Sequence, residues 1–158
     1  MRVRKYQMRD TDMMISIWNE AVDACEPLPA EGVIDLVGGN AFFAGQSYCG
    51  VAVDFGANVH GFYILNAEGS SADEKIGSIR VALAPSGMDQ HVDIDILKDG
   101  IMQAGRLGFK MLLFKVGAEA DLAGYENLGF KQLKTIPGAL AKPDGKNTDI
   151  IIYGKELT

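Results

Sequence analysis

The chain has 158 residues, 47% hydrophobic and 23% charged, and a formal net charge of −6. That length suffices for one sizeable core, so residues 1–158 are expected to form a single domain. The acidic balance excludes non-specific binding to nucleic acid or to an anionic membrane, both of which need basic surface.

No apolar run approaches the roughly 18 residues of a membrane helix. The basic start, MRVRK, has no apolar stretch behind it, so no signal peptide is expected and the expected location is cytoplasmic. Cys25 and Cys49 lie far apart, without the spacing of a metal site or a disulfide framework.

Arg2 to Gln7 fits a short edge strand. Asp10 or Thr11 can cap the helix that follows. Met14, Ile17, Trp18, Ala21 and Val22 recur at the spacing of one buried helical face. Pro27 and Pro29 interrupt the chain, a second helix is predicted over Ala30 to Val37, and Gly38 and Gly39 are expected to end it. Asn40 can cap a further turn through Phe42 and Phe43. Tyr48 to Asp54 and His60 to Asn66 read as a hairpin across a short Gly-containing connection. After a polar loop, AEGSSADEK, the next strand is expected from Ile76 to Ala84.

The stretch Val81 to Phe109 then reads as a strand end, a short loop opened by Pro85 and Gly87, and a helix stopped near Gly108. Its period-2 stretch HVDIDI also suits a strand, but Ile94, Leu97, Ile101 and Ala104 sustain a helical face. A strand turning into a helix offers unpaired N–H groups that favour anions. Here the helix start carries Asp89, Asp93 and Asp95. Lys110 to Val116 is expected to be a central strand, Ala118 to Leu128 a helix ended by Gly129, and Lys131 to Ile136 and Thr148 to Gly154 the last strands. Between those two lies a Pro- and Gly-rich excursion, PGALAKPDGKN. The expected class is mixed α/β: an antiparallel meander followed by a strand–helix–strand crossover, hence a mostly antiparallel sheet with a central parallel pair.

Four local patterns resemble the GNAT superfamily of acyl-CoA-dependent N-acyltransferases. They are the strand and proline Val81-Ala-Leu-Ala-Pro85, the helix end Ala104-Gly-Arg-Leu-Gly-Phe-Lys110, the signature Tyr125-Glu-Asn-Leu-Gly-Phe130, and the closing Ile136-Pro-Gly-Ala with Pro143-Asp-Gly145. The resemblance implies a strand splayed from its parallel neighbour, with acetyl-CoA or CoA in the gap. It implies that the backbone around Val81 and Leu83 binds the pantetheine, and that Met88, Asp89, His91 and Asp93 occupy the pyrophosphate loop. It further implies direct attack by a small amine or a peptide N-terminus, with Tyr125 protonating the departing thiolate. A homodimer through an edge strand is also compatible.

The chain departs from the family pattern within that loop. Met88 stands for an Arg or Gln, His91 for the first Gly, Asp93 for the small second position, and Asp89 for a frequent Gly; Ala118 replaces an Asn that contacts the coenzyme. Carboxylates facing a diphosphate repel it, so either they serve as helix-start residues filling the anion site with the protein's own oxygens, or they point away and the loop still binds the coenzyme through displaced amides. A second reading follows: a non-catalytic protein of the same fold that has lost CoA and binds another ligand or partner. No general base stands out among Glu74, Ser78, Arg80, Glu119, Asp121, His60 and His91. His60 is expected to be a partly buried, satisfied histidine. Tyr48, Cys49 and Tyr63 are candidates for an acceptor pocket or, alternatively, for core packing.

Overall fold

The computed structural model describes residues 1–23, 36–68, 75–118, 122–141 and 144–157. Seven strands form one sheet: β1 (Arg2–Lys5), β2 (Tyr48–Val53), β3 (Val59–Ala67), β4 (Ile76–Leu83), β5 (Met111–Gly117), β6 (Lys131–Ala141) and β7 (Asn147–Glu156). Their order is β1-β2-β3-β4-β5-β7-β6, and every neighbouring pair is antiparallel except β4 and β5. The helices are α1 (Thr11–Asp23), α2 (Leu36–Ala44), α3 (Pro85–Asp89), α4 (Val92–Arg106) and α5 (Leu122–Asn127). The mixed α/β architecture expected from the sequence is the one observed.

Alternation along the strands sorts the core into two layers. Val51, Val53, Phe62, Ile64 and Ala82 face one side of the sheet, where Met14, Ile17 and Trp18 of α1 and Phe43 of α2 cover them. Tyr63, Leu65, Ile79, Leu112 and Phe114 face the other, under Ile96, Leu97 and Ala104 of α4. At roughly 1.5–3 kcal/mol per fully buried large apolar side chain, both layers matter for stability. No helix among the described residues is long and apolar enough to cross a membrane, and no group of His, Cys, Asp and Glu among them is placed to hold a metal.

Several sequence-based boundaries move. Gly38 and Gly39 do not end a helix but lie within α2. A Cβ on Gly39 would sit 2.5 Å from Ile15 Cδ1, so this glycine permits the close approach of α2 to α1. Asn40 accordingly caps nothing. It sits within α2 and accepts hydrogen bonds from Thr11 Oγ1 (2.5 Å) and the Tyr6 hydroxyl (3.3 Å). Asp10 belongs to a 3-10 turn, Met8–Asp10, ahead of α1; its carboxylate accepts from the Gln7 amide and from both Arg4 terminal nitrogens.

β6 continues through Pro137 and Gly138 to Ala141, where a short strand and an excursion were expected. Pro is tolerated because β6 is an edge strand, and the irregular register between Ile136 and Leu140 absorbs Gly138, whose φ is +60°. β5 runs to Gly117 and Ala118 forms a turn, its amide donating to Asp149 O, so Ala118 does not begin a helix. The Pro27–Pro29 break, residues 30–35 of the expected second helix, Cys25, Glu74, Glu119, Asp121, Pro143 and the side chain of Val22 lie outside the description.

Candidate active site

β4 and β5 pair in parallel over four positions only, from Ile76↔Met111 to Ile79↔Phe114. Beyond Ile79 the strands part. β4 continues against β3, through Val81↔Tyr63 and Leu83↔Gly61, while β5 continues against β7. The amide of Ala84 donates to His60 O at 2.9 Å, which places the backbone groups of the even-numbered residues of β4 on the β3 side. By strand alternation the N–H and C=O groups of Val81 and Leu83 face the opposite edge, into the gap left by β5. Their side chains meanwhile pack against the α4-side core.

The segment after β4 is not an open loop. Pro85 opens α3, the amides of Gly87 and Met88 both donate to Ala84 O, and the amide of His91 donates to Met88 O. His91 then turns the chain into α4 with φ +53°, ψ +41°. That left-handed conformation is one a glycine adopts without strain and a histidine only at a cost. Met88, Asp89, Gln90 and His91 are exposed.

Asp93, in the first turn of α4, accepts a hydrogen bond from the Tyr125 hydroxyl at 2.8 Å. The ring of Tyr125 is buried edge-on against Phe114, with centroids 5.1 Å apart. Gly124 brings α5 close enough that a Cβ there would lie 2.9 Å from Ile94 Cδ1. The start of α4 and α5 are therefore joined directly, with the Asp93 carboxylate turned toward Tyr125.

Of the sequence-predicted residues, Val81 and Leu83 line the strand gap with their backbone, and Tyr125 and Asp93 meet each other. Met88, Asp89 and His91 form no shared cluster with them. Tyr48, Cys49 and Tyr63 do not make one pocket. Tyr63 is buried beneath α4, its hydroxyl donating to Asp99 Oδ2 at 2.5 Å and its ring stacked on Tyr48, whereas Cys49 belongs to the opposite layer. Burial pushes the Tyr63 phenol and the Cys49 thiol well up from their ordinary values, so neither ionises readily. A surface groove of about 290 Å³ lies on another face, lined by Arg2, Arg4, Asp54 and Phe55 among others, and contains none of the predicted site residues.

Coenzyme A fits this arrangement in one half. The Val81 and Leu83 edge suits the amide-bearing pantetheine arm. The segment Met88 to Asp93 does not suit a diphosphate, because its amides at Met88 and His91 are already donated to main-chain oxygens and carboxylates flank it.

A parallel pair that splays, followed by a helix and embedded in this strand order, is the GNAT fold. The chain superposes on an N-acetyltransferase from Staphylococcus aureus with TM-score 0.87 and 16% identity, covering 99% of this chain and 98% of that one. It matches a GCN5-related N-acetyltransferase from Kribbella flavida at TM-score 0.86 and 21% identity (99% and 97% covered). It also matches a phosphinothricin acetyltransferase from Sinorhizobium meliloti, solved in complex with AcCoA, at TM-score 0.85 and 18% identity (98% and 87% covered). No protein-family profile and no curated protein matches the sequence.

Proposed function

We propose that the protein is an N-acyltransferase that moves an acyl group from a CoA thioester to a small amine or a peptide N-terminus by direct attack. The observation that carries this reading is the backbone edge of Val81 and Leu83, which no strand among the described residues pairs and which faces the gap opened by β5. An extended ligand bearing amides adds to such an edge as another strand would. Each bond so formed contributes about 1 kcal/mol net, and the gap fixes the direction in which the ligand runs.

In this reading Tyr125, in the Tyr125-Glu-Asn-Leu-Gly-Phe130 pattern, serves the departing thiolate. Its proton is donated to Asp93 in the resting geometry, so general-acid work requires that bond to be exchanged when the donor binds. The amine needs no covalent enzyme intermediate.

A second reading, a non-catalytic protein of this fold, is favoured by one observation: the segment after β4 is closed on itself, with Asp93 held toward Tyr125. Calorimetric titration with CoA and with acetyl-CoA separates the two. Micromolar affinity supports the transferase reading, and the absence of heat at millimolar ligand ends it.

A further inference from the structure

His60 occupies the irregular position where β3 shifts register against β2, and it bridges two elements. Its Nε2 lies 2.8 Å from Asp54 Oδ2 and its Nδ1 lies 2.6 Å from Ser86 Oγ. Asp54 is itself fixed by the hairpin turn. Its Oδ1 accepts from the amides of Gly56 (2.9 Å) and Asn58 (3.0 Å), and the Asn58 side-chain nitrogen lies within 3.3 Å of both oxygens. The His60 hydrogen bond, with those from the turn, lowers the Asp54 carboxyl from 3.8 to about 2. An ionised carboxylate can only accept, so Asp54 takes the hydrogen bond from Nε2–H, and in the neutral ring the Nδ1 lone pair is left to accept the Ser86 hydroxyl.

The approach of Ser86 depends on Gly87. A Cβ at that position would lie 2.1 Å from His60 O, so only a glycine lets the start of α3 sit this close to β3. Ser86 remains partly exposed, while the His60 side chain is 14% exposed. An orienting carboxylate, an imidazole base and a reachable hydroxyl stand in series, the arrangement that activates a serine. The ring nitrogens are used in the reverse sense from chymotrypsin-type triads, but the proton logic is the same.

We propose that Asp54, His60 and Ser86 form a nucleophilic unit in which Ser86 takes an acyl group from a small activated ester or thioester. Ser86 Oγ bonds to the carbonyl carbon while its proton passes to His60 Nδ1. The bond from that carbon to the leaving alcohol or thiol breaks, and the leaving group takes the proton from Nδ1. The product is an ester on Ser86; water attacking by the same proton route releases the carboxylic acid and restores the serine. Gly87 and Met88 donate their amides to Ala84 O, so they do not stabilise an oxyanion, and the expected outcome is acylation in stoichiometric amount rather than rapid turnover.

The test uses the intact protein and three probes: a fluorophosphonate, p-nitrophenyl acetate, and the acetyl thioester of N-acetylcysteamine, each followed by intact mass and peptide mapping. A single adduct on Ser86 is expected with the fluorophosphonate and with at least one acetyl donor; the two donors distinguish an ester from a thioester substrate. Labelling should vanish in Ser86→Ala and slow by roughly tenfold or more in His60→Gln and Asp54→Asn. No adduct on Ser86 in folded wild type at millimolar probe would overturn the proposal. So would equal labelling in His60→Gln, which would reduce the three side chains to a structural tie. Neither outcome bears on CoA binding, because no probe contains the nucleotide.

Discussion

The two ends of the segment Pro85–Asp93 are both held by side chains, but in different ways. At the first end Ser86 meets His60, and His60 meets an Asp54 whose oxygens also accept from the amides of its own turn. That tie is built from several bonds within the β2–β3 hairpin and one from it to α3. At the second end Asp93 faces the Tyr125 hydroxyl, across from α5, at 2.8 Å. This contact joins the elements on either side of the gap, and the phenol in it is the one the resemblance assigns to thiolate protonation. The first end therefore ties the start of the segment to β3, whereas the second ties its end to α5.

Tyr125→Phe gives the largest expected effect on that contrast. If the hydroxyl protonates the departing thiolate, kcat for acyl transfer falls about a hundredfold while the KM for the amine stays near wild type. Unchanged kcat would leave Tyr125 as a core aromatic beside Phe114 with a hydrogen bond to Asp93 and no chemical role.

Replacing both Asp89 and Asp93 by glycine tests the other partner of the second end. Two charges about 4 Å apart cost on the order of 1 kcal/mol in water and about 4 near a protein surface. Removing both carboxylates should tighten CoA binding roughly tenfold or more, as read by calorimetry. Affinity unaltered by the double change would mean that the amides already donated within α3, and not charge, set the limit at this end.

How much of this was legible in the sequence differs between fold and site. Period and punctuation located β2 through β5 and α4, because Ile79, Val81 and Leu83 alternate and Ile94, Leu97, Ile101 and Ala104 keep a helical face. Gly39 misled, since a glycine that lets two helices approach looks in sequence like one that ends a helix. The splay of β4 from β5 is a property of pairing and has no residue signature; only the resemblance announced it. The identities of Asp89, His91 and Asp93 raised the question of a filled anion site, but not that Asp93 would meet Tyr125, because the two are separated by 32 positions. His60 was expected to be a satisfied, partly buried histidine; both ring nitrogens do find partners, but the base role proposed for it was not expected. Its partners Asp54 and Ser86 were missed because a register shift in β3 and the close approach at Gly87 bring them together, and neither is visible in spacing.

The first end has a smaller and pH-dependent signature. Asp54 titrates at about 2 in the folded protein against an ordinary 3.8, so folding favours its ionised form. Its contribution to stability is therefore complete above pH 3.8 and is lost as pH falls through about 2. Urea midpoints of wild type and Asp54→Asn should differ by a constant amount near neutrality, and the difference should shrink across that acid window. The change is expected to be modest because Asp54 is 34% exposed and water screens its bonds. A difference that stays constant down to pH 2 would mean that the His60 hydrogen bond does not favour the ionised carboxylate.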